Sequence, residues 1–198
     1  MSAISIFDDD DPAYNSLLGF GDDQMYEYIN GYEKSVELLL SHVVQTREGL
    51  DYLIYPIMFN YRQYLELSIK HINWLADQIL DRRVIANFQR PRFVKFDNSN
   101  HNLGKIWQSA VEKLKKVDDS IPDSLLKQVG KTVDDYQTID KSSMSFRYPE
   151  NKDWERSINK HKSINILSVV KSYEATIPKI RQIDGWLHSM IETWSTNG

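Results

Sequence analysis

From Tyr55 to Leu80 the chain carries apolar side chains at helical spacing, with no proline or glycine after Pro56. Ile57, Tyr61, Leu65, Ser68, Ile72, Leu75 and Ile79 fall on one face of a helix advancing about 100° per residue. Met58 and Ile69 widen that face to one side. A helix that is apolar on more than one side must be covered on more than one side, so the pattern predicts the central helix of a bundle. Pro56 is read as a first-turn proline, where the missing N–H costs nothing. Arg62 falls between Met58 and Ile69, at the margin of the buried face. Glu66 lies one turn further on, within pairing reach.

Four more segments share this periodicity. One spans about Asp23 to Thr46, capped by Asp22 or Asp23 and weakened by Gly31, with Tyr28, Tyr32, Val36, Leu39, Leu40 and Val43 inward. The next, about Asn102 to Val117, turns Leu103, Ile106, Trp107, Ala110, Val111 and Leu114 inward. A third, about Pro122 to Ile139, uses Leu125, Leu126, Val129, Val133 and Tyr136. The last, about Ser163 to Trp194, carries Ile166, Val169, Val170, Tyr173, Ile177, Ile180, Trp186, Leu187, Met190 and Trp194. Pro178 is expected to bend or split it near Thr176. Two long loops, 81–100 and 140–162, interrupt the series. Apart from a short strand or hairpin at Arg92 to Phe96, strand signals are nearly absent. The expected fold is all-α, a helical bundle of about five helices with two long loops. It forms one domain over 22–198, preceded by an acidic N-terminal arm, 1–21. That arm, with its run Asp8 to Asp11, reads either as a solvated tail or as a segment that docks on a partner.

Composition removes several classes. A chain of 198 residues without cysteine has no disulfides and no thiolate metal site. The start lacks the basic and apolar regions of a secretory signal, and no run of about 18 apolar residues marks a membrane span. A cytoplasmic location without membrane contact is the expectation. The net charge of −4 argues against indiscriminate nucleic-acid binding but allows a local basic patch. Walker, GxGxxG, HExxH and GxSxG motifs are all missing. The histidines, His42, His71, His101, His161 and His188, are dispersed, so no metal and no cofactor is expected.

Four residues remain as candidates for catalysis. Arg62 with Glu66 is either an ion pair fixing the central helix, or a guanidinium held by its carboxylate and aimed at phosphate. His101 opens a helix, where a neutral imidazole acts as base or binds phosphate, or else serves as a polar cap. Arg147 sits between Phe146 and Tyr148, before Pro149, in a loop that these groups would pin to the bundle. A basic loop with Arg82, Arg83, Arg90, Arg92 and Lys95, interleaved with Phe88, Phe93 and Phe96, suits RNA contact by ion pairing and stacking. It equally suits a solvated loop anchored by its phenylalanines. Arg156 and His161, with four residues between them, match the Arg-x(4–6)-His pattern of many helical ribonucleases. Nine arginines, five histidines and three spacings give about 0.7 such matches by chance.

Three segments carry a family resemblance: Tyr61-Arg62-Gln63-Tyr64-Leu65-Glu66, His101-Asn102-Leu103-Gly104-Lys105-Ile106-Trp107 and Ser145-Phe146-Arg147-Tyr148-Pro149. Their order over residues 50–195, with the closing helix from Ile164, resembles uncharacterised bacterial HEPN-like proteins, often found near defence and mobile-element genes. The resemblance implies an all-α bundle, homodimers, and in active members a metal-independent endoribonuclease site at a helix interface. A defence or toxin–antitoxin type system and a partner protein of the same system belong to the same implication. The usual Arg-x(4–6)-His pattern is not at the expected helix start. Arg62 and His71 have eight residues between them and point to opposite sides of the helix. A site would therefore be assembled from Arg62, Glu66, His101 and Arg147. His101 would be the acid or base, the arginines would bind phosphate, and Glu66 would orient Arg62. The competing expectation is a non-enzymatic helical module that assembles with a partner nuclease or NTPase.

Overall fold

The computed structural model describes residues 13, 16, 18, 24–81, 101–141, 143–158 and 163–195. The acidic arm thus lies largely outside the described residues, as do the basic loop, the Arg92 to Phe96 strand and His161. Among the described residues the chain forms five helices: α1 (Gln24–Thr46), α2 (Leu50–Leu80), α3 (Leu103–Val117), α4 (Asp123–Ile139) and α5 (Ile166–Ser195). The only β pairing among them is the isolated bridge Glu150–Arg156. No helix there is long and apolar enough to cross a membrane.

α2 is the centre. It packs against α1, α3 and α5, while α4 closes the remaining side against α3 and α5. Every position assigned to its apolar face is buried, Met58 and Ile69 included. Tyr61, Tyr64, Tyr136 and Tyr173 fill its flanks, with Tyr61 edge-on to both Tyr136 and Tyr173. Burial pushes the Tyr64 phenol well above its ordinary value and the Tyr173 phenol up to about 12, so both stay neutral donors.

α2 begins earlier than the sequence pattern predicts. It starts at Leu50, directly after Gly49, whose φ of 73° is left-handed. A side chain at Gly49 would also strike Leu53, its Cβ lying 2.7 Å from Leu53 Cδ1. This turn puts Pro56 beyond the first turn. The carbonyl it leaves unbonded belongs to Tyr52, which is exposed and open to water. Pro178 behaves alike. α5 runs through it unbroken, because Pro178 and the Glu174 carbonyl it frees lie on the exposed side. Tyr28, expected inward, is 61 % exposed; Ile29 takes the core position. α3 is capped by the Asn102 side chain, which accepts from Lys105 N at 2.9 Å.

Leu65, fully buried on α2, is a direct test of this packing. Leu65→Ala should cost about 2–5 kcal/mol in chemical denaturation. Tyr28→Ser should stay within about 0.5 kcal/mol of the parent protein.

Candidate functional site

Three of the four candidate residues meet where α2 faces the start of α3 and the end of α4. Arg62 is completely buried, and both of its terminal nitrogens are hydrogen-bonded. Nη1 donates to Glu66 Oε2 at 2.7 Å and to Ser143 Oγ at 2.9 Å. Nη2 donates to the His101 carbonyl at 2.6 Å. Nε lies 3.5 Å from Asp140 Oδ2, an ion pair without hydrogen-bond alignment. Arg62 thus lies in the interior rather than at the margin of the buried face. Its whole fork is turned on the protein, so it does not face a ligand.

Glu66 is the hub of the cluster. Its Oε1 accepts from Lys70 Nζ at 2.9 Å and faces His101 Nδ1 at 3.0 Å, while Oε2 takes Arg62. Burial raises the Glu66 carboxyl, but the hydrogen bonds from Lys70, Arg62 and His101 outweigh it and leave the group below its ordinary range. Glu66 therefore stays ionised, and Nδ1 is the ring nitrogen of His101 that carries the donated proton. The opposite nitrogen, Nε2, points away from the carboxylate on a side chain that is 56 % exposed.

His101 is not where a helix-start anion site would need it. It precedes the cap, and the Gly104 and Lys105 N–H groups already have acceptors. Asn102 holds Lys105 N, and Gln137 Oε1 lies 3.4 Å from Gly104 N. A carboxylate rather than a helix dipole organises this imidazole.

Arg147 does not join the cluster. Phe146 is buried and pins the loop, as expected, but Arg147 is turned outward. Its guanidinium lies 5.6 Å from the centres of both the Phe59 and Tyr148 rings. The loop is shaped instead by Asp140, whose Oδ1 accepts from Met144 N and Ser145 N. Arg156 sits in the exposed 150–156 turn. Arg82, Arg83, Arg90, Arg92 and Lys95 lie outside the described residues.

Lys70, Asp140 and Ser143 complete the cluster and escape the sequence reading. Lys70 was legible, being four residues from Glu66 on one helix. Asp140 and Ser143 reach Arg62 only through the fold.

No family model matches this chain, and neither any curated protein nor any solved structure does.

Removing Arg62 would leave Asp140 buried without its cation and Glu66 with Lys70 alone. Arg62→Ala should destabilise by about 3–5 kcal/mol, and Arg62→Lys should recover only part, lacking the planar fork. The lowered Glu66 carboxyl adds a pH dependence. Its stabilising contribution is complete above its ordinary value of 4.5 and is lost as pH falls through the lower, folded-state value. The stability deficit of Glu66→Gln, measured by denaturation across pH, should be largest near neutrality and shrink on acidification.

Proposed function

We propose that this chain is a HEPN-like helical protein that binds RNA and cleaves it without a metal, with His101 as the general base. The observation that carries this reading is the Glu66–His101 pair, a buried carboxylate holding the proton-bearing nitrogen of a half-exposed imidazole. Such an arrangement fixes the tautomer and presents the Nε2 lone pair outward. In this reading Nε2 takes the proton of an RNA 2′-hydroxyl. The 2′-oxygen attacks the adjacent phosphorus, the 5′-oxygen leaves and takes a proton from water, and a 2′,3′-cyclic phosphate remains. Arg62 is a positioning residue, holding both Glu66 and the His101 carbonyl. Phosphate contact falls to the basic loop of Arg82, Arg83, Arg90, Arg92 and Lys95, with Arg147 at the surface. The homodimer and the bacterial defence or toxin–antitoxin setting enter through the family resemblance.

A second reading, a non-enzymatic module that assembles with a partner nuclease or NTPase, has one observation in its favour. A cleft of about 840 Å³ opens between the end of α1, the start of α2 and the start of α5. Val44, Leu50, Tyr55 and Leu167 line it and are exposed.

Incubation with total RNA and tRNA, without added divalent metal, separates the two. The expected result is cleavage to cyclic-phosphate ends, slowed about 10²-fold or more in His101→Ala. The melting temperature of that variant should be near that of the parent, its side chain being exposed. Absence of cleavage by the parent over a broad RNA panel, or equal cleavage by both proteins, overturns the ribonuclease reading and leaves the module.

A further inference from the structure

On the opposite side of α2 a second polar cluster joins three helices. His71 of α2 is buried, with Nδ1 2.8 Å from Asp184 Oδ1 of α5. Tyr26 of α1 donates its hydroxyl to Asp184 Oδ2 at 2.6 Å and lies equally close to His188 Nε2, one turn along α5. His188 Nε2 is 4.0 Å from Asp184 Oδ2. One ligand atom from each of His71, Asp184 and His188 lies within 4.8 Å of the others.

Packing does not account for these side chains. Among the described residues the only hydrogen-bond partner of the His71 ring is Asp184, and its buried Nε2 has none. An apolar residue would fill that place without the cost of a half-satisfied imidazole. Trp74 stacks on one face of the ring, and Tyr26 meets it edge-on, which locks its orientation.

We propose that His71, Asp184 and His188 bind one divalent transition-metal ion of the zinc class, with the Tyr26 hydroxyl beside it. Two imidazoles and a carboxylate are a ligand set for zinc and its neighbours rather than for calcium or magnesium. The bonds of a tetrahedral zinc site, about 2.0–2.1 Å, place ligand atoms about 3.3 Å apart. The present spacing needs only a modest closure by side-chain rotation, and the ion takes the place of the protons now shared within the cluster. Asp184 and His188 are about one-fifth exposed, so the ion has a route in from solvent. By tying α2 to α5 beside α1, it would act as a staple in a chain that has no disulfide. This site is separate from the His101 cluster, and the inference does not rest on the ribonuclease reading.

The test is a Zn²⁺ titration of chelator-treated full-length protein by calorimetry, with a parallel thermal melt. One equivalent per chain should bind and raise the melting temperature. His188→Ala and Asp184→Asn should bind more than about a hundredfold more weakly, since even loss of an outer-shell partner costs about 10–100-fold. Both alter partly exposed positions, and metal-free melts confirm that they fold. His42→Ala, at an exposed histidine remote in sequence from the cluster, should bind like the parent. No stoichiometric binding by the parent overturns the site, and so does binding that survives in both cluster variants or is lost in His42→Ala.

Discussion

The structure turns on a guanidinium with no access to water. Taking Arg62 out of solvent carries a desolvation cost that only close, well-aimed partners offset. Two carboxylates, a hydroxyl and a carbonyl supply them: Glu66, Asp140, Ser143 and His101. These partners come from α2 itself, from the segment entering α3 and from the loop leaving α4. The ion-pair network therefore decides how two connections sit on the central helix. Lys70 balances the second negative charge, so two cations face two carboxylates across the cluster. Its specificity lies in the fork. The two terminal nitrogens of Arg62 bond partners from α2, from the α4 loop and from the segment entering α3, which fixes their relative directions through a planar group.

This reverses the roles that spacing suggests. A carboxylate one turn from an arginine looks like a device for aiming the arginine. In the folded chain the arginine holds the carboxylate, and the carboxylate aims a histidine. His101 Nε2 is the outward end of this network, and Arg62 is its foundation. α2 carries a second polar insertion half a turn away in projection, where His71 meets Asp184 and His188. The central helix thus carries two opposed clusters of charged and imidazole side chains, one toward α3 and the α4 loop and one toward α1 and α5.

The helices were legible because burial leaves a strong periodic trace. All the apolar positions assigned to α2 and α3 are at least partly buried. The errors fall where local geometry overrides pattern. The start of α2 depends on a left-handed Gly49, and both prolines are tolerated because the carbonyls they free face solvent. Tyr28 misleads because an aromatic at an outer position resembles one at an inner position when only spacing is seen. The site was legible only in part. Glu66 and Lys70 lie one turn apart on a helix, and Asp184 and His188 likewise. Asp140, Ser143 and the approach of His71 to His188 come from contacts between distant segments, which leave no trace in local spacing. Arg147 is a site candidate by sequence because its aromatic neighbours would pin the loop; only Phe146 is buried, and Arg147 lies over the Phe59 ring at the surface.

The central claim is that Arg62, through Glu66, sets the state and direction of the His101 ring. Long-range nitrogen–carbon-proton NMR correlations of the imidazoles report that state directly. At a pH where His101 is neutral, the account requires the Nδ1–H tautomer with an unprotonated Nε2. It also requires that Glu66→Gln, which leaves Arg62 in place, abolish this preference. An Nε2–H ring in the parent protein, or a His101 tautomer unchanged in Glu66→Gln, would contradict it.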